Sequence, residues 1–412
     1  MIPKIDLSKY SYALPPQLVA NYPLFERDQS KLLYWRNYTI EEHTFKELPN
    51  LLPKGSMAIF NNSKVFPARL FFRKASGAKV EIFTLKPYNP IEITQIFSSK
   101  RSCSWISIVG NIKRWRGEPI YLDGIESDTL SQTKLTAQIE GRVEDKVIIQ
   151  FNWEGNRTFG EIIELYGKVP IPPYLKRESE EIDKLRYQTV YARAEGSVAA
   201  PTAGLHFTSN IFKRLIESGI NIEELQLHVG AGTFLPIGSP TIEKHQMHQE
   251  PLSISVEALK RVVGQIEEGG DIIAVGTTSL RTLESLYLLG LKVLKGEHPT
   301  NVEQWEWCSE GATYSAYHSL SALLNWMERN GLQTLSRETK LMIVPGYQFK
   351  VVDILITNFH QPGSTLLLLI AAFIGEEWRE LYNFAIERNF RFLSYGDSSI
   401  LYKNRGIEAI KD

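Results

Sequence analysis

Asp271-Ile-Ile-Ala-Val-Gly-Thr-Thr-Ser-Leu-Arg281 runs as a short apolar strand into a glycine and three hydroxyl residues, and then into a helix predicted over Ser279 to Leu289. The same rhythm surrounds it. Leu225-Gln-Leu-His-Val reads as a strand, Val256 to Glu268 as an amphipathic helix, Val351 to Thr357 as a strand and Ser364 to Ile374 as a helix. Strands alternating with helices imply an α/β fold, a largely parallel sheet or barrel with helices outside it, whose chemistry sits on loops at the carboxyl ends of the strands. Residues 66–154 break this rhythm. Short β-rich runs such as Lys79-Val-Glu-Ile-Phe-Thr-Leu and Lys146-Val-Ile-Ile-Gln-Phe alternate there with Gly, Pro, Asn and Asp clusters, the pattern of a small all-β barrel domain. The expectation is a discontinuous α/β domain, 1–65 and 155–412, interrupted by that barrel. Residues 291–340, rich in Trp, Glu and His with one helical patch near Leu320 to Arg329, read as a further insertion.

Composition narrows the class. With 43% hydrophobic and 23% charged residues, the 412-residue chain sits near the globular average and away from disorder. Two cysteines, Cys103 and Cys308, supply neither a disulfide framework nor paired zinc spacing, which fits a reducing, cytoplasmic setting. The first twenty residues carry prolines and an aspartate in place of an unbroken apolar stretch, and the longest apolar run, Leu366 to Ile374, is too short to span a bilayer. The expected protein is soluble, with no membrane partner. Charge is segregated. Lys64 to Arg116 holds eleven Lys or Arg against Glu81 and Glu92, a local net of +9, while the rest of the chain carries -10. Such a stretch is either a phosphate-binding face or a basic edge on a β domain. Arg69, Lys113, Arg114 and Arg116 are the candidate RNA contacts; Trp105 reads as core, and Trp115 as either core or a base-stacking ring.

Three strand-to-helix junctions are candidate binding loops. At the first, Gly276, Thr277, Thr278 and Arg281 would gather free backbone N–H groups, hydroxyls and a guanidinium suited to a carboxylate or phosphate, although an N-cap accounts equally for the hydroxyls. The second sets Asn358 and His360 just past an apolar strand. The third, Gly196 to Thr208, is a run of small residues including Thr202 and Gly204, on which a nucleoside could lie. His206 and His228 border glycine-containing loops and are candidate acids or bases, the alternative being hydrogen-bonded structural histidines. His245, His248 and Glu250 offer metal-ligand types without the helical spacing of a zinc motif.

Taken together, ordered segments resemble one family. They are Arg27-Asp-Gln-Ser-Lys-Leu-Leu33, Ile59 to Leu70, Tyr187-Gln-Thr-Val-Tyr-Ala192, Gly196 to Thr208, Leu227-His-Val-Gly-Ala-Gly-Thr-Phe234, His245 to Glu250, Val275 to Ser285, Pro345-Gly-Tyr, Thr357 to Phe373 and Arg391-Phe-Leu-Ser-Tyr-Gly-Asp397. The chain is similar to the S-adenosylmethionine:tRNA ribosyltransferase-isomerases of queuosine biosynthesis. It departs from their pattern at Ser63-Lys64, Gln361-Pro-Gly363 and Ser398-Ser399. The resemblance implies a barrel-like α/β domain with an inserted small β-barrel, and an enzyme that transfers and isomerises the ribosyl part of S-adenosylmethionine onto 7-aminomethyl-7-deazaguanine at the tRNA wobble position. Epoxyqueuosine would form with release of adenine and methionine. S-adenosylmethionine would then be a cosubstrate, tRNA the partner, and no metal or further cofactor is required. His206 and His228, with Asp397 third, are the expected proton-transfer residues. Thr202, Gly204, Gly276, Thr277, Thr278, Arg281, Asn358 and His360 are the expected donor-binding set. The competing readings are a noncatalytic or altered-specificity RNA-binding paralogue and a metal-dependent hydrolase using His245, His248 and Glu250.

Overall fold

In the computed structural model the described residues are 2–123, 134–228, 230, 241–309 and 314–404. In chain order they form strands β1 (Lys31–Arg36) and β2 (Thr39–Thr44), helix α1 (Leu48–Leu51), then β3 (Met57–Asn61), β4 (Ser63–Val65), β5 (Arg69–Arg73) and β6 (Lys79–Asn89). Helix α2 (Ile93–Phe97) leads to β7 (Ser102–Val109), β8 (Ile120–Leu122), β9 (Thr136–Val143) and β10 (Lys146–Asn152). Then come α3 (Phe159–Tyr166), α4 (Glu181–Arg186), β11 (Ala194–Ser197), α5 (Ser209–Glu217), β12 (Asn221–Leu227), β13 (Glu250–Ser255), α6 (Val256–Glu267) and β14 (Ile272–Val275). The chain continues with α7 (Thr277–Leu294), α8 (Ala316–Arg329), β15 (Thr334–Thr339), β16 (Ile354–Asn358), α9 (Thr365–Ile374), α10 (Trp378–Glu387) and β17 (Ser398–Tyr402).

Two compact units result. One holds Met1–Ser63, Thr189–Arg193 and Pro201–Asp412; the other holds Lys64–Gln188 and Ala194–Ala200. The first is α/β, built on a nine-stranded mixed sheet of order β15-β13-β12-β3-β14-β16-β17-β1-β2. Its centre is parallel, β12, β3, β14 and β16 running together, and the flanking pairs are antiparallel except β17 with β1, which run parallel to each other and against the centre. Burial explains the centre: every residue of β3, β14 and β16 is buried, as expected of strands covered on both faces. Leu32, Phe60, Val275, Ile356 and Ile400 from five strands pack with Phe45, Phe207, Ile211 and Leu215 in one apolar core. The helices that cover the sheet begin at polar caps. Thr208, Ser255, Ser315 and Ser364 each accept a hydrogen bond from a backbone N–H of the first turn of α5, α6, α8 and α9. Residues 291–340 are woven into this unit: α7 runs on to Leu294, α8 packs on α6 and α7, and β15 pairs with β13 as an edge strand.

The second unit contains the expected all-β barrel, closed in the order β10-β7-β6-β5-β8-β9. Its strands alternate, so that Leu70, Phe72, Ile82, Trp105, Ile149 and Phe151 are fully buried, and closure leaves the barrel without an open edge. Trp105 packs against Phe66, Phe97 and Phe159, the last delivered by α3, whose start is fixed by a reciprocal Thr158–Glu161 capping box. Among the described residues no helix is long and apolar enough to cross a membrane.

Candidate active site

Register places the candidate loops along one edge of the sheet. Leu225 pairs with Asn61, Phe60 with Val275 and Val275 with Ile356, so β12, β3, β14 and β16 end side by side. Strand β17 runs the other way and opens at the same edge, with Ser398 opposite both Asn358 and Leu32. Asn61, His228, Gly276, Asn358, Asp397 and Ser30 therefore share the carboxyl edge of the parallel strands, where open α/β sheets bind ligands. Asn61 fastens two of these ends: its Nδ2 donates to the Leu227 carbonyl at 2.9 Å, and its Oδ1 accepts from the N–H groups of Leu227 at 3.0 Å and Ser63 at 3.2 Å.

The β14–α7 junction depends on Gly276, whose φ of +87° is costly for any residue with a Cβ. A Cβ there would lie 3.7 Å from the Cβ of Ala203, so the turn Thr202–His206 sits beside the amino terminus of α7. Thr277 is buried, and the buried Thr278 Oγ1 has no hydrogen-bond partner among the described residues. One turn on, Arg281 is 6% exposed and ion-pairs through Nη1 with Glu250 Oε2 at 2.5 Å. Its Nε donates to the Leu341 carbonyl at 3.2 Å, while Nη2 is buried without a partner among the described residues. Glu250, first considered with His245 and His248 as a metal ligand, is thus turned toward a guanidinium. Among the described residues no three His, Cys, Asp or Glu side chains gather as a metal site. Glu284, one further turn along α7, accepts from Tyr347 Oη and from the N–H groups of Lys350, Val351 and Val352, which fixes the approach to β16. Burial pushes this carboxyl up, and the three backbone donors pull it back.

The turn Thr202–His206 is tight for a reason the sequence concealed. A Cβ on Gly204 would meet the Tyr191 hydroxyl at 1.9 Å, so the glycine makes room for a ring of this unit's own core. His206 is 6% exposed, with its ring 5.0 Å from that of Phe45. Its Nδ1 lies 2.8 Å from Ser30 Oγ, and its Nε2 lies 3.2 Å from Asn358 Nδ2. Burial pushes this imidazole down to about 4; a hydrogen bond to the Arg27 backbone opposes the shift, and the charges of Arg391 and Arg27 add to it. His360 is held as firmly: Nε2 faces Thr357 Oγ1 at 3.1 Å, its N–H donates to Tyr382 Oη and its carbonyl accepts from Tyr12 Oη. Burial takes His360 down to about 3. Asp397 accepts from the N–H groups of Lys31 at 3.1 Å and Arg391 at 2.7 Å, one on each carboxylate oxygen, and burial raises it above the ordinary aspartate range. His228 differs from these. Its backbone N–H donates to the Pro251 carbonyl, but its Nδ1 is buried with no partner among the described residues, and burial again lowers its pKa. Residues 231–234 of the loop that follows lie outside the described residues.

Buried side-chain polar atoms in folded proteins nearly always find partners. Among the described residues several do not, and four of these, Thr278 Oγ1, Arg281 Nη2, Asn358 Oδ1 and His228 Nδ1, sit on the strand ends and the opening turns of α7 at this one edge. Residue types and spacing had singled out these four. Ser30, Asn61 and Thr357 carried no site role in that reading, because a hydroxyl or amide at a strand end looks like an ordinary turn or cap until its distant partner is seen.

On the barrel, Arg69 pairs with Glu81 at 2.5 Å, Arg73 with Asp123, and Lys74 with Glu118 at 2.7 Å. Part of the +9 stretch is therefore balanced by acids just beyond it in sequence. Lys113 and Arg116 are exposed, and the Arg114 side chain lies outside the described residues. Trp115 is 3% exposed and donates from Nε1 to the Glu118 carbonyl, which makes it core, not a stacking platform.

The chain's similarities to known proteins run its full length. The family described as "Queuosine biosynthesis protein" matches residues 7–401. A relative from Trichlorobacter lovleyi named S-adenosylmethionine:tRNA ribosyltransferase-isomerase is 36% identical over 400 residues, covering 96% of this chain and 99% of its own. A relative of the same name from Legionella pneumophila is 37% identical over 395 residues, covering 95% and 98%. Among solved structures, the S-adenosylmethionine tRNA ribosyltransferase of Thermotoga maritima is 26% identical, with 95% of this chain and 99% of that one covered at a TM-score of 0.46.

Proposed function

This chain belongs to the queuosine biosynthesis protein family, and from that premise we propose that it is an S-adenosylmethionine:tRNA ribosyltransferase-isomerase. It moves the ribosyl part of S-adenosylmethionine onto the aminomethyl group of 7-aminomethyl-7-deazaguanine at the tRNA wobble position, yielding epoxyqueuosine, adenine and methionine. The observation that carries the reading is the end-to-end match to relatives of that name, with all the candidate donor-binding residues inside the matched span. The reading places the protein in the cytoplasm, with tRNA as its partner and S-adenosylmethionine as a cosubstrate.

The chemistry assigns work to the sheet edge. The sulfonium acidifies the ribose C5' protons, a base removes one, an acid assists departure of adenine, the substrate amine attacks, and epoxide closure expels methionine. Such steps need proton donors and acceptors in a site with little water. Among the three proton-transfer candidates, His228 retains a ring nitrogen with no partner among the described residues, whereas His206 and Asp397 already have neighbours on each polar side-chain atom. We therefore assign proton transfer to His228 first. The amino terminus of α7, with Gly276, Thr277, Thr278 and Arg281 Nη2, suits the methionine carboxylate. Thr202 and the backbone of Gly204, whose Cα side is taken by Tyr191, line the nucleoside, and Asn358 and His360 close the pocket. Lys113, Arg114 and Arg116 on the barrel contact tRNA phosphates, joined by Arg69 where Glu81 releases it.

Incubation with precursor-containing tRNA and ribose-labelled S-adenosylmethionine, followed by nucleoside mass analysis, tests the reading. Labelled epoxyqueuosine with equimolar adenine and methionine is expected. Tight binding of both substrates without label transfer would make the protein a noncatalytic paralogue.

A further inference from the structure

His206 would be expected to transfer protons, yet neither ring nitrogen is open. Ser30 Oγ occupies Nδ1 at 2.8 Å and Asn358 Nδ2 occupies Nε2 at 3.2 Å. The Asn358 amide has a second contact that decides which way the protons run: Nδ2 also reaches the backbone carbonyl of Asp397 at 3.4 Å. A carbonyl oxygen only accepts, so the amide end facing it is the NH2 group. That same NH2 group faces His206, whose Nε2 must then accept, leaving the ring proton on Nδ1 to be donated to Ser30. Both Asn358 N–H groups are spent in this arrangement. Its Oδ1, on a residue only 3% exposed at the end of β16, is a buried acceptor with no partner among the described residues.

We infer that His206 is a positioning residue that locks the Asn358 amide, and that Asn358 Oδ1 accepts a hydrogen bond from an N–H or O–H of the nucleoside part of S-adenosylmethionine. Two groups of that nucleoside carry this chemistry, the exocyclic amine of adenine and the ribose hydroxyls. A site built to accept a hydrogen bond rejects a ligand lacking the donor, because the buried oxygen is then left unpaired. Asn358 is thus a specificity-determining residue, and Ser30 acts through His206 to hold it. The inference rests on the functional reading above only for the identity of the ligand.

Three measurements on the intact protein decide it. Nitrogen-15 NMR of histidine-labelled protein at neutral pH should show His206 protonated on Nδ1; protonation on Nε2 would reverse the amide and overturn the inference without any variant. Calorimetry compares S-adenosylmethionine with analogues lacking the exocyclic amine, the 2'-hydroxyl or the 3'-hydroxyl. One analogue should bind the parent protein about tenfold or more weakly, the loss of one hydrogen bond to a buried group. That same analogue should bind Asn358→Leu as well as S-adenosylmethionine does. Equal affinity of the parent for all four ligands refutes the contact. His206→Leu should reproduce the affinity loss of Asn358→Leu. His206→Gln, whose Oε1 can accept from the Asn358 amide, should recover donor affinity and turnover to within about threefold with both limbs of the pH profile unmoved. A fall of about 100-fold in turnover for His206→Gln at normal donor affinity would make His206 a proton carrier and overturn the inference. Ribosyl transfer to tRNA is scored separately: parent protein that binds S-adenosylmethionine yet transfers nothing defeats the functional reading, while the binding series still decides this one.

Discussion

Arg281 is the residue at which stability and proposed function are most tightly joined. Its Nη1 pairs with the buried Glu250, and its Nη2, at the edge that the donor would occupy, has no partner among the described residues. Removing one member of a buried ion pair leaves the other charge desolvated, so Arg281→Ala should cost about 3–5 kcal/mol of fold stability, read as a lower denaturant midpoint. In protein that remains folded, donor affinity should fall by about 1–3 kcal/mol, the range for a lost charge-assisted hydrogen bond. Unchanged calorimetric affinity would leave Arg281 with a purely structural role. His228 presents the complementary case. His228→Gln should lower turnover roughly 100-fold while leaving donor binding intact. Burial holds the imidazole below its ordinary 6.5, so a base that works in its neutral form stays competent on acidification until pH drops below that value. The acid limb of kcat should accordingly lie below pH 6.5 and vanish in the variant; a limb retained there assigns the base elsewhere.

At the scale of elements, the turn Thr202–His206 shows how packing dictates a motif. Small residues in this run suggested close approach of a ligand, but Gly204 is confronted by Tyr191, whose ring belongs to the core with Phe60 and Phe207. Gly204→Ala drives a methyl into the Tyr191 hydroxyl, and overpacking of this kind typically costs about 1–3 kcal/mol. Adding Tyr191→Phe, which deletes only that oxygen, should return a substantial part of the lost melting temperature. No recovery in the double variant would mean that the glycine answers to something other than tyrosine. The strand-to-helix junction at Gly276 was by contrast visible in sequence. Apolar residues followed by Gly and hydroxyls mark a strand end and a helix start, and the φ of +87° is the backbone reason for the glycine.

For the whole molecule, the division into an α/β unit and a barrel unit suggests separable tasks, donor chemistry on one and phosphate contact on the other. Lys113 and Arg116 are exposed on the barrel. Replacing both with Gln should weaken tRNA binding and reduce the slope of log affinity against log salt by about one unit per lost contact. S-adenosylmethionine affinity should not move. Identical salt slopes for parent and variant would make the basic stretch a solvated face and put the RNA on the sheet-edge loops. The gross charge count overstated this face: Arg73 and Lys74 find Asp123 and Glu118, which follow just after Arg116.

The sequence by itself determined the α/β class, the inserted all-β barrel and the junctions from which the site is drawn, because periodicity, glycine punctuation and capping hydroxyls are local signals that need no partner to be read. The order of the strands, β12-β3-β14-β16, was not legible, nor was the place of β15 on the sheet edge inside a span that reads as an insertion. Only the tertiary structure decided which polar groups are spent and which remain open. Ser30 reaches His206 across 176 positions, Asn358 reaches it across 152, and Arg281 meets Glu250 across 31. Contacts of that separation are selected by the register of the sheet and by the burial that makes an unpaired polar atom costly, neither of which any short stretch of chain contains.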